Sequence, residues 1–209
     1  WLEGCNRMDL ILTSSKHSLD VFKGTRYEMK EKNSDKIVKT IMLEKPVEIL
    51  LEGADLTKYF AEPTNAFDLS LVKESFNYLF VGHWMQGNIG QDRKNVGYMI
   101  KAFLETFKNK QNAPGLILKT QQVGSSLMDK ERILDKIDNI RKTVKGKVPN
   151  IYLITGELTD EQINQLYNNP KVKAMVSFTK GEGFGRPLLE FSLTGKPIIA
   201  SAWSGQVDF

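Results

Sequence analysis

Gly181-Glu182-Gly183-Phe184-Gly185-Arg186-Pro187-Leu188-Leu189-Glu190 is the stretch on which the reading of this chain turns. Glycines alternate with a Glu, a Phe and an Arg. A β-branched apolar run, 172–178, comes just before, and an apolar helical pattern with Leu188, Leu189, Phe191 and Leu193 follows. The order is strand, glycine loop, helix start. Glycine has no Cβ, so such a loop lets a ligand approach the backbone closely. A helix start offers unpaired N–H groups and a partial positive charge, which suit a phosphate. Pro187 fits the first turn, where its missing N–H costs nothing.

Two carboxylates frame the stretch. Glu182 sits in the loop, and Glu190 follows after seven intervening residues on a helix that is apolar nearly all round. A Glu on a buried helix needs hydrogen-bond donors, and sugar or ribose hydroxyls would serve. Capping of the helix dipole by Glu190, with Glu182 as a solvated loop charge, explains the same residues.

The wider pattern adds weight to the first reading. Glu182 to Glu190, followed by Gly195-Lys196-Pro197-Ile198-Ile199-Ala200-Ser201 and then Ser204-Gly205, resembles the donor-site signature of retaining GT-B glycosyltransferases of the family 4 type, the glycosyl transferases of group 1. The resemblance covers about the last 130 residues well and the first 60 loosely. It implies an α/β fold: a Rossmann-like parallel sheet with helices on both faces, the C-terminal domain of a GT-B enzyme. It also implies transfer of a sugar from a nucleotide diphosphate to an acceptor hydroxyl with retention of anomeric configuration.

Working outward, residues 8–13 read as a strand, with Ser14 and Ser15 able to cap a helix through Phe22. Asp9, Ser14, Ser15 and His17 resemble the end of the family's N-terminal domain, while a surface position on a helix is the favoured account of His17. Residues 24–45, rich in Lys and Glu, read as a solvated excursion without chemistry. Residues 47–51 form a short strand pattern, and turn formers follow around Pro63. The expected division is 1–65 for the tail of the N-terminal domain and the linker, and 66–209 for a donor-binding domain.

From there strands alternate with helices: 76–81, 115–120, 151–155, 171–178 and 197–201 read as strands. Val96, Met99, Ile100, Phe103, Leu104 and Phe107 mark one helical stripe, with Asp92 or Asn95 as its cap. Ile133, Ile137, Ile140 and Val144 mark a second, and Thr159 with Gln162 makes a capping box for a third. Such alternation argues for a parallel sheet, whose ligands bind beyond the carboxyl ends of the strands. The loops holding Gly82, Lys94, Gly156 and Gly181 all follow those ends.

Arg93 and Lys94 lie at a helix start, where cations oppose the dipole and an external anion would compensate; Arg93 pointing into water is the plainer account. The family carries Gly-Arg after this strand and a Lys near the next helix, both holding the donor diphosphate. Gly82 and Lys94 match; His83 stands in place of the Arg, and neutral His is a weaker phosphate partner. By resemblance, Lys94 and Arg93 stabilise the departing diphosphate. The N–H groups of Phe184 and Gly185 assist at the helix start, and Gly183 belongs to the donor-binding loop. Glu182 accepts sugar hydroxyls, Glu190 accepts ribose hydroxyls, and Leu158 packs beneath the nucleobase.

Composition sets the bounds. The chain has 209 residues, 41% hydrophobic and 26% charged, with a net charge of +4 and one cysteine, Cys5. That suits a globular protein in a reducing, cytoplasmic setting, with peripheral attraction to anionic lipid allowed. The chain opens without Met, and both ends suggest a piece of a longer protein. A Walker loop is excluded because Pro follows Gly195-Lys196, and no Gly-x-Gly-x-x-Gly follows the first strand. The scattered histidines and the cysteine give no zinc pattern, and the aromatics take core positions, which does not suit nucleic acid. No metal or cofactor is expected; a UDP- or GDP-hexose is the expected donor, and a glycan, lipid or small molecule the acceptor. The alternatives are a non-catalytic nucleotide-sugar binding or regulatory module, and a glycan phosphorylase, which would need pyridoxal phosphate. The fragment alone is expected to be a poor catalyst.

Overall fold

The computed structural model describes residues 1–85, 89–121 and 126–209. The chain divides into two compact units: Trp1–Gly53 with Glu182–Gly185 and Ala202–Phe209, and Ala54–Gly181 with Arg186–Ser201.

The first unit begins with α1 (Leu2–Cys5), β1 (Ile11–Thr13) and α2 (Lys16–Gly24). The hydroxyl of Ser15 caps α2 by accepting from Ser18 N, as the paired serines predict. Next come β2 (Arg26–Lys30), β3 (Ile37–Met42) and β4 (Val47–Ile49). β1 and β4 pair in parallel. β2 and β3 form an antiparallel hairpin, with Tyr27 opposite Ile41 and Met29 opposite Lys39. The reading of 24–45 as a solvated excursion did not name these strands, and their exposure agrees with it. The signal is the period-two placing of Tyr27 and Met29, with Asn33 at positive φ in the turn. Lys and Glu at the remaining positions conceal it.

The second unit is built on β5 (Asn77–Val81), β6 (Gly115–Lys119), β7 (Ile151–Ile154), β8 (Val172–Ser177) and β9 (Ile198–Ala200). Between them run α3 (Val96–Phe107), α4 (Leu127–Lys142), α5 (Asp160–Asn168) and α6 (Arg186–Ser192). The sheet is parallel, in the order β7-β6-β5-β8-β9. Numbered within this sheet, that is 3-2-1-4-5, so the chain reverses its direction of travel between β5 and β8.

Alternation along the strands divides the core. Phe80, Leu116, Leu118 and Val176 face α3 and α4, which contribute Met99, Ile100, Leu104, Ile133 and Ile137. Leu79, Ile117 and Met175 face α5 and α6, which contribute Leu166, Tyr167, Leu188 and Phe191. Helices thus cover both faces, as the alternating pattern predicts.

Residues 54–72 belong to this second unit, although the sequence reading assigns them through residue 65 to the N-terminal tail and linker. The side chains of Asn164 and Asn168 on α5 accept from Phe60 N at 3.2 Å and Glu62 N at 2.8 Å. Asn169 donates to Phe67 O, and Tyr59, Leu69 and Val72 complete the apolar cluster. The tethering amides lie about a hundred positions downstream, beyond the reach of any local pattern.

Candidate functional site

In the second unit the carboxyl ends of β5, β6 and β8 carry the informative groups. β5 runs straight into Gly82, whose N–H donates to Lys119 O at 3.1 Å. A Cβ at Gly82 would lie 3.6 Å from Lys94 Cε and 3.1 Å from Phe80 Cζ. The stem of Lys94 therefore lies beside the glycine, and the Phe80 ring borders the space that a side chain there would need. His83 follows, exposed.

The segment before α3 is held by Asp92. This carboxylate is buried, and its Oδ2 accepts from Val96 N at 3.0 Å. Asp92 thus makes the helix-start hydrogen bond, while Asn95, in the left-handed region, makes no side-chain cap. Arg93 reaches the segment after β8: its guanidinium donates to Gly181 O, and its own carbonyl accepts from Lys180 N at 2.9 Å. Thr179 and Gly181 are joined through the Thr179 hydroxyl. The β5–α3 and β8–α6 connections are therefore tied together across the β5/β8 reversal point, where sheets of this order take their ligands.

Glu190 projects from α6 and is only 6% exposed. Its Oε1 accepts from Arg186 Nη2 at 3.0 Å. Burial raises its pKa, and the Arg186 hydrogen bond and charge oppose that shift. Its surroundings come from residues that the sequence reading does not single out. The Tyr59 hydroxyl donates to Asp160 Oδ1 at 2.9 Å, and Asp160 pairs with Lys58 at 2.8 Å. The Lys58 and Tyr59 hydrogen bonds hold the Asp160 pKa below its ordinary value. Tyr167, fully buried between Tyr59 and Phe191, has a hydroxyl with no hydrogen-bond partner among the described residues.

Lys119, the last residue of β6, is also absent from the sequence-derived site. It is 9% exposed, and its Nζ donates to Gly156 O at 2.7 Å. Burial lowers its pKa, and the charge of Glu157 works against that. A single Lys closing an otherwise apolar strand was the available signal.

In the first unit, the loop Glu182–Gly185 is clamped by the trailing Ser-Gly pair. Glu182 N donates to Ser204 Oγ, the Ser204 hydroxyl lies within hydrogen-bond distance of Glu182 O, and Gly205 N donates to Glu182 O at 3.1 Å. A Cβ on Gly205 would fall 2.2 Å from Gly183 O, so only glycine fits there. Ser18 Oγ donates to Gly183 O, and the buried ring of Phe184 packs on Phe209, with centroids 5.2 Å apart. His17 packs edge-on against Trp203.

Solved structures share this architecture. The C-terminal domain of a glycosyl transferase group 1 family protein, LpcC, from Francisella tularensis matches with a TM-score of 0.51 at 16% identity, over 71% of this chain and 70% of that one. Sucrose-phosphate synthase from Thermosynechococcus elongatus matches with a TM-score of 0.62 at 14% identity, over 98% of this chain and 43% of that one. A trehalose-6-phosphate structure from E. coli bound with UDP-2-fluoro glucose matches with a TM-score of 0.60 at 12% identity, over 99% of this chain and 49% of that one. This is the GT-B fold of glycosyltransferases. The chain spans less than half the length of the latter two relatives. No protein-family model matches the sequence, and no curated protein does.

Of the sequence-predicted site residues, Gly82, His83, Arg93, Lys94, Leu158 and Glu190 belong to the second unit, and Glu182, Gly183, Phe184 and Gly185 to the first. Leu158 packs partly buried against the α5/α6 side of the core. Thr159 and Gln162 form the full capping box at the head of α5. Among the described residues no group of His, Cys, Asp or Glu could hold a metal ion, and no helix is long and apolar enough to cross a membrane. A cavity of about 620 Å³, lined by Glu74, Phe76, Tyr78, Phe107 and Pro114, opens at the amino edge of the sheet, opposite the strand ends that carry Gly82 and Lys119.

Proposed function

We propose that this chain is the donor-binding part of a retaining glycosyltransferase, which takes a sugar from a nucleotide diphosphate and passes it to an acceptor hydroxyl. The observation that carries the reading is the placing of Lys94 next to Gly82 at the carboxyl edge of a GT-B sheet, beside the β5/β8 reversal. A lysine whose stem runs beside a glycine at a strand's carboxyl end suits a diphosphate. Lys94 stabilises the negative charge that gathers on the diphosphate as its bond to the anomeric carbon breaks, while the acceptor oxygen forms the new bond. Arg93, with its guanidinium on Gly181, holds the adjoining connection in place.

In this reading Glu190 takes the ribose hydroxyls, sharing its carboxylate with Arg186, and Leu158 packs against the nucleoside. From the resemblance alone, Glu182 is assigned to hydroxyls of the sugar, the N–H groups of Phe184 and Gly185 to the diphosphate, and Gly183 to donor binding. Cationic side chains and amides supply the charge, so the reading needs no metal or cofactor. The acceptor, a glycan, lipid or small molecule, is bound mainly by the further length that the longer relatives have, and this chain alone turns over poorly. The site of action is the cytoplasm, including its membrane surface. His83, where the resembling family has Arg, favours a second reading: a nucleotide-sugar binding module that does not turn over.

Calorimetric titration with UDP, GDP, ADP and their sugars tests the proposal. A charge-assisted hydrogen bond contributes about 1.5–3 kcal/mol, so Lys94→Ala should weaken nucleoside diphosphates about 10- to 100-fold while sparing nucleosides. Glu190→Ala should weaken both. Unchanged diphosphate affinity in Lys94→Ala would remove that residue from the site. Nucleotide release by the intact parent protein separates the transferase from the silent module.

A further inference from the structure

Lys119 is a charged group buried without a matching charge. An ammonium carries three N–H donors. Here one of them meets Gly156 O, and among the described residues no carboxylate forms an ion pair with it. Glu157 acts on it only through its field and is itself exposed. Leaving a buried charge with so few partners is unfavourable unless something else completes its shell.

Its position says what that could be. Lys119 lies two residues after Ile117, so it shares the sheet face that packs on α5 and α6. Its register neighbours are Val81 on β5 and Ile154 on β7. The bond to Gly156 draws its Nζ toward β7, away from the β5/β8 reversal where Lys94 stands. In sheets of this order the diphosphate lies at the reversal, and the end of the second strand faces the nucleoside. Dinucleotide-binding sheets place an acidic acceptor there for the ribose. This chain places a donor there instead.

We propose that Lys119 reads the base of the bound nucleotide and selects uracil or guanine, which present a carbonyl oxygen at O4 or O6, over cytosine and adenine, which carry an amino group at those positions. The proposal rests on the nucleotide-site reading above. The chemistry is that of base edges: guanine offers O6 and N7 as acceptors, and uracil its carbonyl oxygens, where adenine and cytosine carry an amino donor. An ammonium that has already spent one donor on Gly156 still satisfies an acceptor edge and is mismatched against an amino group.

The test titrates the chain with UDP, GDP, ADP, CDP and inorganic pyrophosphate, and repeats the series with Lys119→Met and Lys119→Gln. The wild-type chain should prefer UDP or GDP over ADP and CDP by about 10-fold or more. Both variants should level that preference while pyrophosphate affinity stays within about twofold of wild type. Thermal melts of each variant establish that it is folded. Three outcomes overturn the proposal: no base preference in the wild-type chain, a preference that survives both substitutions, or an equal loss for every ligand including pyrophosphate, which would make Lys119 a prop for the Gly156 loop. If neither pyrophosphate nor any nucleotide binds, the nucleotide-site reading itself falls. Binding without base preference removes only Lys119.

Discussion

β6 is buried at every position, and β2 is exposed at every position. Both are five-residue strands in the same chain. β6 reads Gly-Leu-Ile-Leu-Lys and sits between two neighbours, with helices on both faces. β2 reads Arg-Tyr-Glu-Met-Lys and has a single partner. A doubly covered strand must be apolar throughout, so a polar residue at its end needs a reason. A hairpin strand carries no such demand, and its charged residues are only solvated. That is why Lys119 is informative where Lys30, five residues along an exposed strand and paired with exposed Asp35, is not.

The contrast can be broken most directly by cutting side chains. Ile117→Ala removes a fully buried side chain from the middle of β6 and should cost about 2–5 kcal/mol. Met29→Ala on β2, where the side chain is 52% exposed, should stay within about 0.5 kcal/mol. Urea midpoints measure both, and similar losses would mean that the hairpin is buried in solution. A second comparison concerns glycines. Gly205→Ala drives a Cβ against Gly183 O and should cost about 1–3 kcal/mol while shifting the amide resonances of Glu182 to Gly185. Gly53→Ala meets nothing within 4 Å and should leave both the stability and those resonances in place.

Much of the second unit was legible because its signals are local. The apolar runs placed the strands, the stripe from Val96 to Phe107 placed α3, and Thr159 with Gln162 placed the head of α5. What escaped depends on distant partners. Nothing near Asn164 or Asn168 says that they hold the backbone of Phe60 and Glu62. Glu190 was singled out, but its partner Arg186 was not, because an Arg preceding a Glu by four residues is the weaker orientation of that pair. The Ser204-Gly205 pair could be recognised as a pattern, but its physical reason, the clamp on Glu182, needed coordinates.

The smallest expected effect concerns another lysine that binds carbonyls. Lys196 Nζ donates to Tyr167 O and Asn169 O at the end of α5, and burial lowers its pKa to about 8 from 10.5. The unfolded chain then binds more protons than the folded one between those values, so this group's contribution to stability rises from about pH 8 to 10.5 and is lost as the pH falls back through about 8. Solvent reaches the ammonium, so the rise should be shallow. Stability curves of wild type and Lys196→Met across that window should differ in slope, with the variant flatter; parallel curves would show that Lys196 titrates as a free lysine.

The central claim is that the carboxyl edge of the five-stranded sheet, and not its amino edge, receives the ligand. Amide chemical-shift mapping during titration with the tightest-binding nucleoside diphosphate addresses this directly. The account predicts that the perturbed amides cluster at Gly82, Lys94, Gly156 to Leu158 and Glu190. Perturbations gathered instead at Ser75, Phe76 and Tyr78, around the cavity at the opposite edge, or no saturable shifts at all, would contradict it.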